Sequence, residues 1–212
     1  VADLVLDPAN PQTMLAAMWE YRREPWFFTS GGPGSGLWSS HDGGESWRRL
    51  DEADGLPAGE LGRIGLAVAP SDPRVVYALV EAERSALLRA RDGGRTWTTV
   101  NDEPGIANRP FYYADIAVDP ANENRVYNLA SGVRVSEDGG RTFRPMAGDV
   151  HPDFHAIWID PQDARHLLLG TDGGVWESRD RAATWRLFDN LPVGQFYHVS
   201  VDDAVPFNIY GG

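Results

Sequence analysis

The stretch Ala90-Arg91-Asp92-Gly93-Gly94-Arg95-Thr96-Trp97 occurs four times in the chain with small changes. The other copies are Ser40-His41-Asp42-Gly43-Gly44-Glu45-Ser46-Trp47, Ser136-Glu137-Asp138-Gly139-Gly140-Arg141-Thr142-Phe143 and Ser178-Arg179-Asp180-Arg181-Ala182-Ala183-Thr184-Trp185. Their aspartates are 50, 46 and 42 residues apart. Recurrence at nearly constant spacing indicates that one structural unit is built several times in succession.

A second pattern precedes each copy, an apolar run that ends at or just before proline. The runs are Leu4-Val5-Leu6-Asp7-Pro8, Leu66-Ala67-Val68-Ala69-Pro70, Ile116-Ala117-Val118-Asp119-Pro120 and Ile157-Trp158-Ile159-Asp160-Pro161, and Val199-Ser200-Val201-Asp202 begins a fifth. Each run is typical of a strand that proline terminates. With further β-rich runs between the two patterns, each unit contains four predicted strands.

Four strands in 40–50 residues is the size of a propeller blade. The sequence therefore predicts an all-β chain, a β-propeller of four-stranded antiparallel blades. The predicted blades cover residues 1–57, 58–108, 109–153 and 154–195, with the start of a fifth at 196–212. Because a propeller closes on itself to remove its exposed edges, this count favours an incomplete arc of a larger propeller, and the alternative is a closed four-blade ring with a tail.

The repeated aspartate has a local structural reason. Its carboxylate can accept hydrogen bonds from its own turn, the two glycines supply positive φ, and the aromatic ring packs over the hairpin. A structural role is therefore predicted for Asp42, Trp47, Asp92, Trp97, Asp138, Phe143, Asp180 and Trp185. The fourth copy has Arg181 and Ala182 in place of the glycines, so we expect a looser turn there.

These segments resemble the Asp-box (BNR) repeat, which is found in sialidases, some glucanases and sortilin-type propellers. Three longer stretches, residues 18–26, 151–161 and 194–202, are similar to bacterial BNR or sortilin N-terminal domain proteins that are described as glycosyl hydrolases. The resemblance implies a secreted or periplasmic protein. The chain itself begins Val1-Ala2-Asp3 without a recognisable signal peptide or an initiator methionine, which favours a start inside a longer gene product that supplies the remaining blades.

Composition excludes several classes of function. The net charge of −12 disfavours nucleic acid and anionic membranes as partners, and the chain contains no apolar run that could insert into a membrane. It has no cysteine, and its 19 basic residues are all arginine, so thiolate and Schiff-base chemistry are absent. We predict no cofactor and no resident metal.

The first unit contains about a dozen more residues between its second and third strands than the other units do. The extra stretch, residues 22–36, combines charge, aromatic rings and glycine, and long loops on rigid scaffolds often carry function. It is therefore interpreted either as part of a binding site or as an aromatic plug over the blade. In a four-strand meander it lies on the face opposite the Asp-Gly-Gly turns, together with the connections between blades.

That face carries the predicted binding site for a peptide, protein or glycan. The candidate ligand-binding residues are Tyr21, Arg22, Arg23, Trp26, Arg63, Tyr112, Tyr113, His155, Gln195 and Tyr197. The alternative is a glycoside hydrolase, glucanase- or sialidase-like, with carboxylates on the same face. Its weak catalytic candidates are Glu20, Asp153 and His155. His155 and Asp153 also fit a simpler role in tying neighbouring loops together.

Overall fold

The computed structural model describes residues 1–113, 115–146, 148–194 and 198–211, and these form an all-β structure. Sixteen strands in this part of the chain build four separate four-stranded antiparallel sheets, in agreement with the predicted propeller blades. The remaining strands form two small hairpins. A short 3-10 helix spans Glu52–Asp54, and none of the described helical segments is long and apolar enough to cross a membrane.

The four sheets follow one another along the chain. The first contains β1 (Asp3–Asp7), β2 (Asn10–Met18), β5 (Gly36–Ser40) and β6 (Arg48–Arg49), with the hairpin β3 (Tyr21–Glu24) and β4 (Phe27–Ser30) inserted between its second and third strands. The second contains β7 (Ile64–Val68), β8 (Val76–Val80), β9 (Ala86–Ala90) and β10 (Thr98–Asn101). The third contains β11 (Asp115–Asp119), β12 (Asn122–Leu129), β13 (Val133–Ser136) and β14 (Arg144–Pro145). The fourth contains β15 (Phe154–Ile159), β16 (Leu167–Thr171), β17 (Gly174–Ser178) and β18 (Arg186–Leu187), and a hairpin of β19 (Val199–Val201) and β20 (Ile209–Gly211) follows.

The first strands of the sheets lie side by side around the inside of the arc. β1 contacts β7, β7 contacts β11 and β11 contacts β15. The backbone N–H of Leu66 in β7 donates to the carboxylate of Asp3 in β1 at 2.8 Å, which joins the first two sheets directly. The described sheets therefore form part of a propeller with their first strands nearest its axis.

Each hydrophobic core lies between two neighbouring sheets, and β8 shows how. Val76, Ala78 and Val80 pack into the core shared with the first sheet, whereas Tyr77 and Leu79 pack into the core shared with the third. Because successive side chains of a strand point to opposite faces, a strand that is apolar at every position can serve two cores at once.

The sheets at the two ends of the arc are covered on one side only. In β1, Val5 packs against the first core while Leu4 and Leu6 are exposed. In β15, Ile157 packs against the third core while Trp158 on the other face is 46% exposed. The arc therefore presents an apolar sheet face to solvent at each end.

The three Asp-Gly-Gly segments and the fourth copy, Asp180-Arg181-Ala182, form hairpin turns that all lie on one face of the arc, between the third and fourth strands of their sheets. In the third sheet, Asp138 accepts the N–H and the hydroxyl of Thr142 at 2.9 and 2.7 Å and the hydroxyl of Ser136 at 2.8 Å. Although burial alone would raise it, these bonds lower the pKa of Asp138 to about 2. Each such aspartate stabilises its own turn, so we call these segments the aspartate turns.

The ring of each aspartate turn packs back over the hairpin to a different depth. Trp97 is 5% exposed and belongs to the first core, while Trp47 is 38% exposed. Both indoles donate to a carbonyl in their own turn, Trp47 to Gly44 at 3.0 Å and Trp97 to Gly94 at 3.1 Å.

The fourth aspartate turn is not loosened, contrary to the expectation from its sequence. Asp180 accepts the N–H and the hydroxyl of Thr184 at 2.8 and 2.6 Å, as in the other turns. Arg181 and Ala182 take up the glycine conformation, with φ of 60° and 70°. The indole N–H of Trp185 is buried and has no hydrogen-bond partner among the described residues, so the substitutions leave the turn intact and change the ring's contacts.

Candidate functional site

The extra residues of the first unit form the hairpin β3–β4 and not a flexible loop. Tyr21 pairs with Ser30 and Arg23 with Phe28, around a two-residue connection of Pro25 and Trp26. Since directly paired residues share a face, Tyr21, Arg23 and Phe28 lie on one side of the hairpin. Trp26 lies at its tip, 79% exposed.

The base of this hairpin is fixed to the second sheet by a chain of hydrogen bonds. The indole of Trp19 donates to the hydroxyl of Ser30 at 2.9 Å, and that hydroxyl donates to the carboxylate of Glu81 at 2.6 Å. The same carboxylate oxygen accepts the backbone N–H of Arg63 at 2.7 Å. The hairpin is therefore positioned by neighbours in two sheets.

A continuous row of aromatic rings crosses this face, from the first sheet to the fourth. We call it the aromatic row, and its members in spatial order are Trp19, Tyr21, Phe28, Phe111, Tyr112, Tyr113 and His155. The centroids of successive rings are 4.3, 6.3, 4.9, 4.8, 6.1 and 5.3 Å apart. Four members, Tyr21, Phe28, Tyr112 and His155, keep a third or more of their surface exposed, so a ligand can reach the row.

Two arginines support the row from beside it. Arg63 lies over the ring of Trp19, with 5.6 Å between guanidinium and centroid, and donates to the carbonyl of Tyr112 at 3.1 Å. Arg109 lies 4.9 Å from the Tyr112 centroid and adopts a positive φ of 51°. Arg63 thereby joins the hairpin end of the row to the segment between the second and third sheets.

The far end of the row contains a polar group. The Nε2 atom of His155 lies 3.0 Å from a carboxylate oxygen of Asp172. Tyr113 is buried, and this burial, together with the nearby carboxylate of Asp153, raises its pKa. Asp153 has a left-handed backbone, with φ of 63°.

One carboxyl beside the row differs from the other acidic groups. Burial raises the pKa of Asp115, and the charge of Asp3 adds to this effect, while the nearby Arg63 opposes it. The closest atoms of Arg63 and Asp115 are 3.9 Å apart, which is too long for a direct hydrogen bond. The pKa of Asp115 is therefore raised above its ordinary value, in contrast to the lowered pKa values of the aspartates in the turns.

The structure brings together five of the binding residues proposed from the sequence, namely Tyr21, Arg63, Tyr112, Tyr113 and His155. Arg23 lies on the row side of the hairpin, and Trp26 lies at its tip. Arg22 points to the other side, where it pairs with Glu24 at 3.2 Å and lies over Phe27. Gln195 and Tyr197 lie outside the described residues.

Sequence reasoning missed Trp19, Phe28 and Phe111, which complete the row. Phe111 directly precedes two residues that were identified, and Phe28 falls within the extra stretch. A search for aromatic residues adjacent to the chosen ones would have found both.

The catalytic candidates occupy different settings. The carboxylate of Glu20 accepts the backbone N–H of Gly34 at 2.7 Å, and the backbone N–H of Glu20 donates to the hydroxyl of Ser35. Glu20 thus holds the connection that returns from the hairpin to β5. Asp153 and His155 lie at the polar end of the row. Among the described residues, no group of three or more histidine, aspartate or glutamate side chains is arranged to hold a metal ion.

Taken together, the fold and this face define a β-propeller, and solved structures agree with that class. The chain superimposes on an ancestral GH74 enzyme with a TM-score of 0.52 at 16% identity, over 81% of this chain and 24% of the other. It superimposes on YCF48 from Cyanidioschyzon merolae with a TM-score of 0.53 at 13% identity, over 87% and 54%. It also superimposes on a chain of a nidogen/laminin complex with a TM-score of 0.53 at 18% identity, over 90% and 66%.

These similarities establish the fold alone. The chain spans about a quarter of the length of the ancestral GH74 enzyme and about half that of YCF48. No protein-family model and no curated protein matches its sequence. The propellers that share its fold include glycoside hydrolases and protein-binding proteins, so the function has to be argued from the site.

Proposed function

We propose that this chain is the binding part of a recognition propeller and that the aromatic row holds an extended ligand, a peptide, a protein segment or a glycan. The observation that carries the proposal is the unbroken contact of seven rings from the first sheet to the fourth. Aromatic rings supply large contact areas with little loss of conformational freedom, and tyrosine, tryptophan and arginine dominate binding hot spots.

The row suits a ligand that is long in one dimension. Its rings follow one another from the β3–β4 hairpin to His155, and the arginines Arg63, Arg109 and Arg23 flank them. These arginines provide hydrogen-bond donors for carbonyl or hydroxyl oxygens of a ligand. Contacts to stacked rings and to a few donors are compatible with a sugar chain or with a peptide backbone.

The aspartate turns support a narrower assignment within the same proposal, namely that the blades are Asp-box repeats of the sortilin-like or BNR type. All four turns use the aspartate to accept bonds from a residue four positions later. Proteins with such repeats are commonly exported, and we propose a secreted or periplasmic location on that ground. Remaining blades supplied by the parent chain would cover the exposed sheet faces at the ends of the arc.

The binding proposal is tested on glycan and peptide arrays with the purified protein. Ligands found there are then titrated against the variant Tyr21→Ala/Tyr112→Ala and against the control Phe207→Ala, which removes an exposed ring outside the row. Loss of binding in the double variant only is the expected result. Equal binding by all three proteins would refute the row as the binding site.

A second candidate function, glycoside hydrolysis, rests on the raised pKa of Asp115 beside the row. A glycosidase needs one protonated and one ionised carboxyl on either side of the scissile bond, and Asp172 or Asp153 would provide the second. Hydrolysis of an array ligand that is abolished by Asp115→Asn would favour this function. Binding of that ligand without turnover would leave the recognition propeller.

A further inference from the structure

On the opposite face of the arc, a pocket of about 250 Å³ lies between the aspartate turns of the second and third sheets. Arg89 from the end of β9, Arg91 from the turn that follows and Arg141 from the next turn all line it. Neither the repeat pattern nor the proposed function of the aromatic row gives these three arginines a role.

Arg89 is buried at the base of this pocket without a complete set of partners. It is 4% exposed, and its guanidinium lies 5.3 Å from the ring centroid of Tyr77. One terminal nitrogen donates to the side-chain oxygen of Asn124 at 3.0 Å. The Nε atom and the other terminal nitrogen are buried without a hydrogen-bond partner among the described residues. Buried donors on a charged group are costly to leave unsatisfied.

The three arginines also form no ion pair with the part of the chain that the structure describes. Within the described ranges, no carboxylate oxygen lies within 4.0 Å of a guanidinium nitrogen of Arg89, Arg91 or Arg141. Eleven of the 19 arginines do form such pairs, in a chain of net charge −12. Arg141 donates to the backbone carbonyl of Asp138 at 2.8 Å, but none of the three guanidiniums forms an ion pair within the described ranges, so together they are a local excess of positive charge.

The acidic groups near the pocket are engaged elsewhere. Asp92 lines it, but its carboxylate accepts the N–H groups of Arg95 and Thr96 and the hydroxyl of Thr96. Glu123 contributes a favourable charge to Arg89 from β12 and accepts the side-chain amide of Asn124 at 3.2 Å. Neither carboxylate neutralises the arginines at close range.

The third aspartate turn fixes the position of the buried guanidinium. Gly139 has a φ of 76°, and a Cβ at this position would collide with a terminal nitrogen of Arg89. The missing side chain lets the turn lie directly against Arg89, so the base of the pocket is held in place while Arg91 and Arg141 at its mouth are exposed.

We propose that this pocket binds the oxyanion group of a ligand, a sulfate or phosphate ester or a carboxylate. The exposed guanidiniums of Arg91 and Arg141 grip the anion with charge-assisted hydrogen bonds, and the buried charge of Arg89 attracts it from below. The low dielectric around Arg89 strengthens that attraction relative to an exposed arginine. The site is independent of the aromatic row and lies on the other face of the protein.

The test is isothermal titration of the protein with sodium sulfate, sodium phosphate and sodium glucuronate in separate runs, at constant ionic strength. The three probes distinguish the possible sources of the oxyanion. We expect saturable one-to-one binding of at least one of them, with a dissociation constant of about 1 mM or lower. The variant Arg91→Gln/Arg141→Gln should weaken it about tenfold or more.

Arg95→Gln is the matched control, because Arg95 belongs to the same aspartate turn as Arg91 but does not line the pocket. Its affinity should equal that of the unmodified protein. Equal weakening by Arg95→Gln, or no effect of the double variant, would show general charge attraction and overturn the proposal. Absence of saturable binding by all three probes up to about 50 mM would overturn it as well.

A second measurement locates the anion independently. The side-chain Nε–H resonance of Arg89 should shift when the bound probe is added, because this group is buried at the base of the pocket. The resonance is identified by its loss in Arg89→Met, or by sequential assignment if that variant does not fold. Binding that leaves this resonance unmoved would place the anion elsewhere and refute the assignment.

Discussion

The two faces of the arc differ in how their side chains are used. On one face, four aspartate turns repeat the same hydrogen bonds, and each turn satisfies its own backbone groups. On the other face, the aromatic row repeats nothing, and its rings come from three unlike places: the β3–β4 hairpin with the residues just before it, the segment before β11, and β15. The comparison teaches that the repeated residues maintain the blades, whereas the residues that break the repeat are those available for a ligand.

The largest expected effect concerns the turn face. Trp97→Ala removes a ring that is 5% exposed and should lower the free energy of unfolding by about 3–5 kcal/mol, as large-to-small core substitutions do. Trp47→Ala, at the equivalent but 38% exposed position, should cost less than half as much. Denaturant unfolding of both variants measures this. Equal losses would show that burial does not set the role of the ring.

The next effect is pH-dependent. Hydrogen bonds from its own turn keep the pKa of Asp138 at about 2 in the folded state, below the ordinary 3.8. A lowered folded-state pKa means that the stabilisation is complete above pH 4 and is lost as the pH falls from about 4 to 2.

Asp138→Ala should therefore destabilise the protein by about 1–3 kcal/mol at pH 7. The difference from the unmodified protein should shrink as the pH falls through this window. Denaturant titrations at pH 7, 4 and 3 measure it. A difference that stays constant with pH would contradict a role for the ionised carboxylate.

On the row face the expected effect is on binding rather than on stability. Tyr21→Ala/Arg23→Ala changes the side of the hairpin that faces the row and should weaken ligand binding about tenfold. Unfolding should change by less than about 0.5 kcal/mol, as is usual for surface positions. Binding is measured by titration with the ligand that the arrays identify.

The control for that variant lies on the other side of the same hairpin. Glu24→Gln/Phe27→Ala removes one charge and one ring from that side, where the two residues are directly paired, and it should leave the affinity nearly unchanged. Arg22 and Trp26 remain predicted binding residues, so the variants Arg22→Ala and Trp26→Ala are measured alongside. Stronger weakening by the control than by the row-side variant would show that the ligand contacts the opposite side of the hairpin, and it would refute the aromatic row as the binding site.

The smallest expected effect concerns the fourth aspartate turn, which has no glycine. Arg181→Gly replaces a residue with φ of 60° and should stabilise the protein by about 1 kcal/mol, because a left-handed backbone is strained for residues with a Cβ. Gly93→Ala is the reverse change at the equivalent position, where a Cβ meets nothing within 4 Å, and should destabilise by a similar amount. Thermal unfolding measures both, and shifts of the same sign would contradict the comparison.

The fold could be predicted because its information is local and repeated. Each aspartate turn lies between two strands in sequence, and each apolar run ends at or next to a proline, so the number and order of strands follow from spacing. The hairpin β3–β4 was not predicted, because its two-residue connection, Pro25 and Trp26, lacks the Asn-Gly, Asp-Gly or Gly-X pair that marks a tight hairpin turn in a sequence.

The site was predictable only in part, for a physical reason. The ring centroids of Phe28 and Phe111 are 4.9 Å apart although the two residues are separated by 83 positions, and nothing in either local sequence specifies that contact. The pocket on the turn face was not predictable at all. Arg89 lies within a strand, and only the packing of the neighbouring sheet shows that its donors lack partners.

The placement of each core between consecutive sheets also has a consequence for synthesis. The first core is complete once the chain has been made to the end of β10, and the second requires nothing beyond β14. Such a chain can fold progressively behind the ribosome, one interface at a time, because its strands contact strands of the same sheet or of a neighbouring sheet. Damage to one blade should then be transmitted mainly to its immediate neighbours.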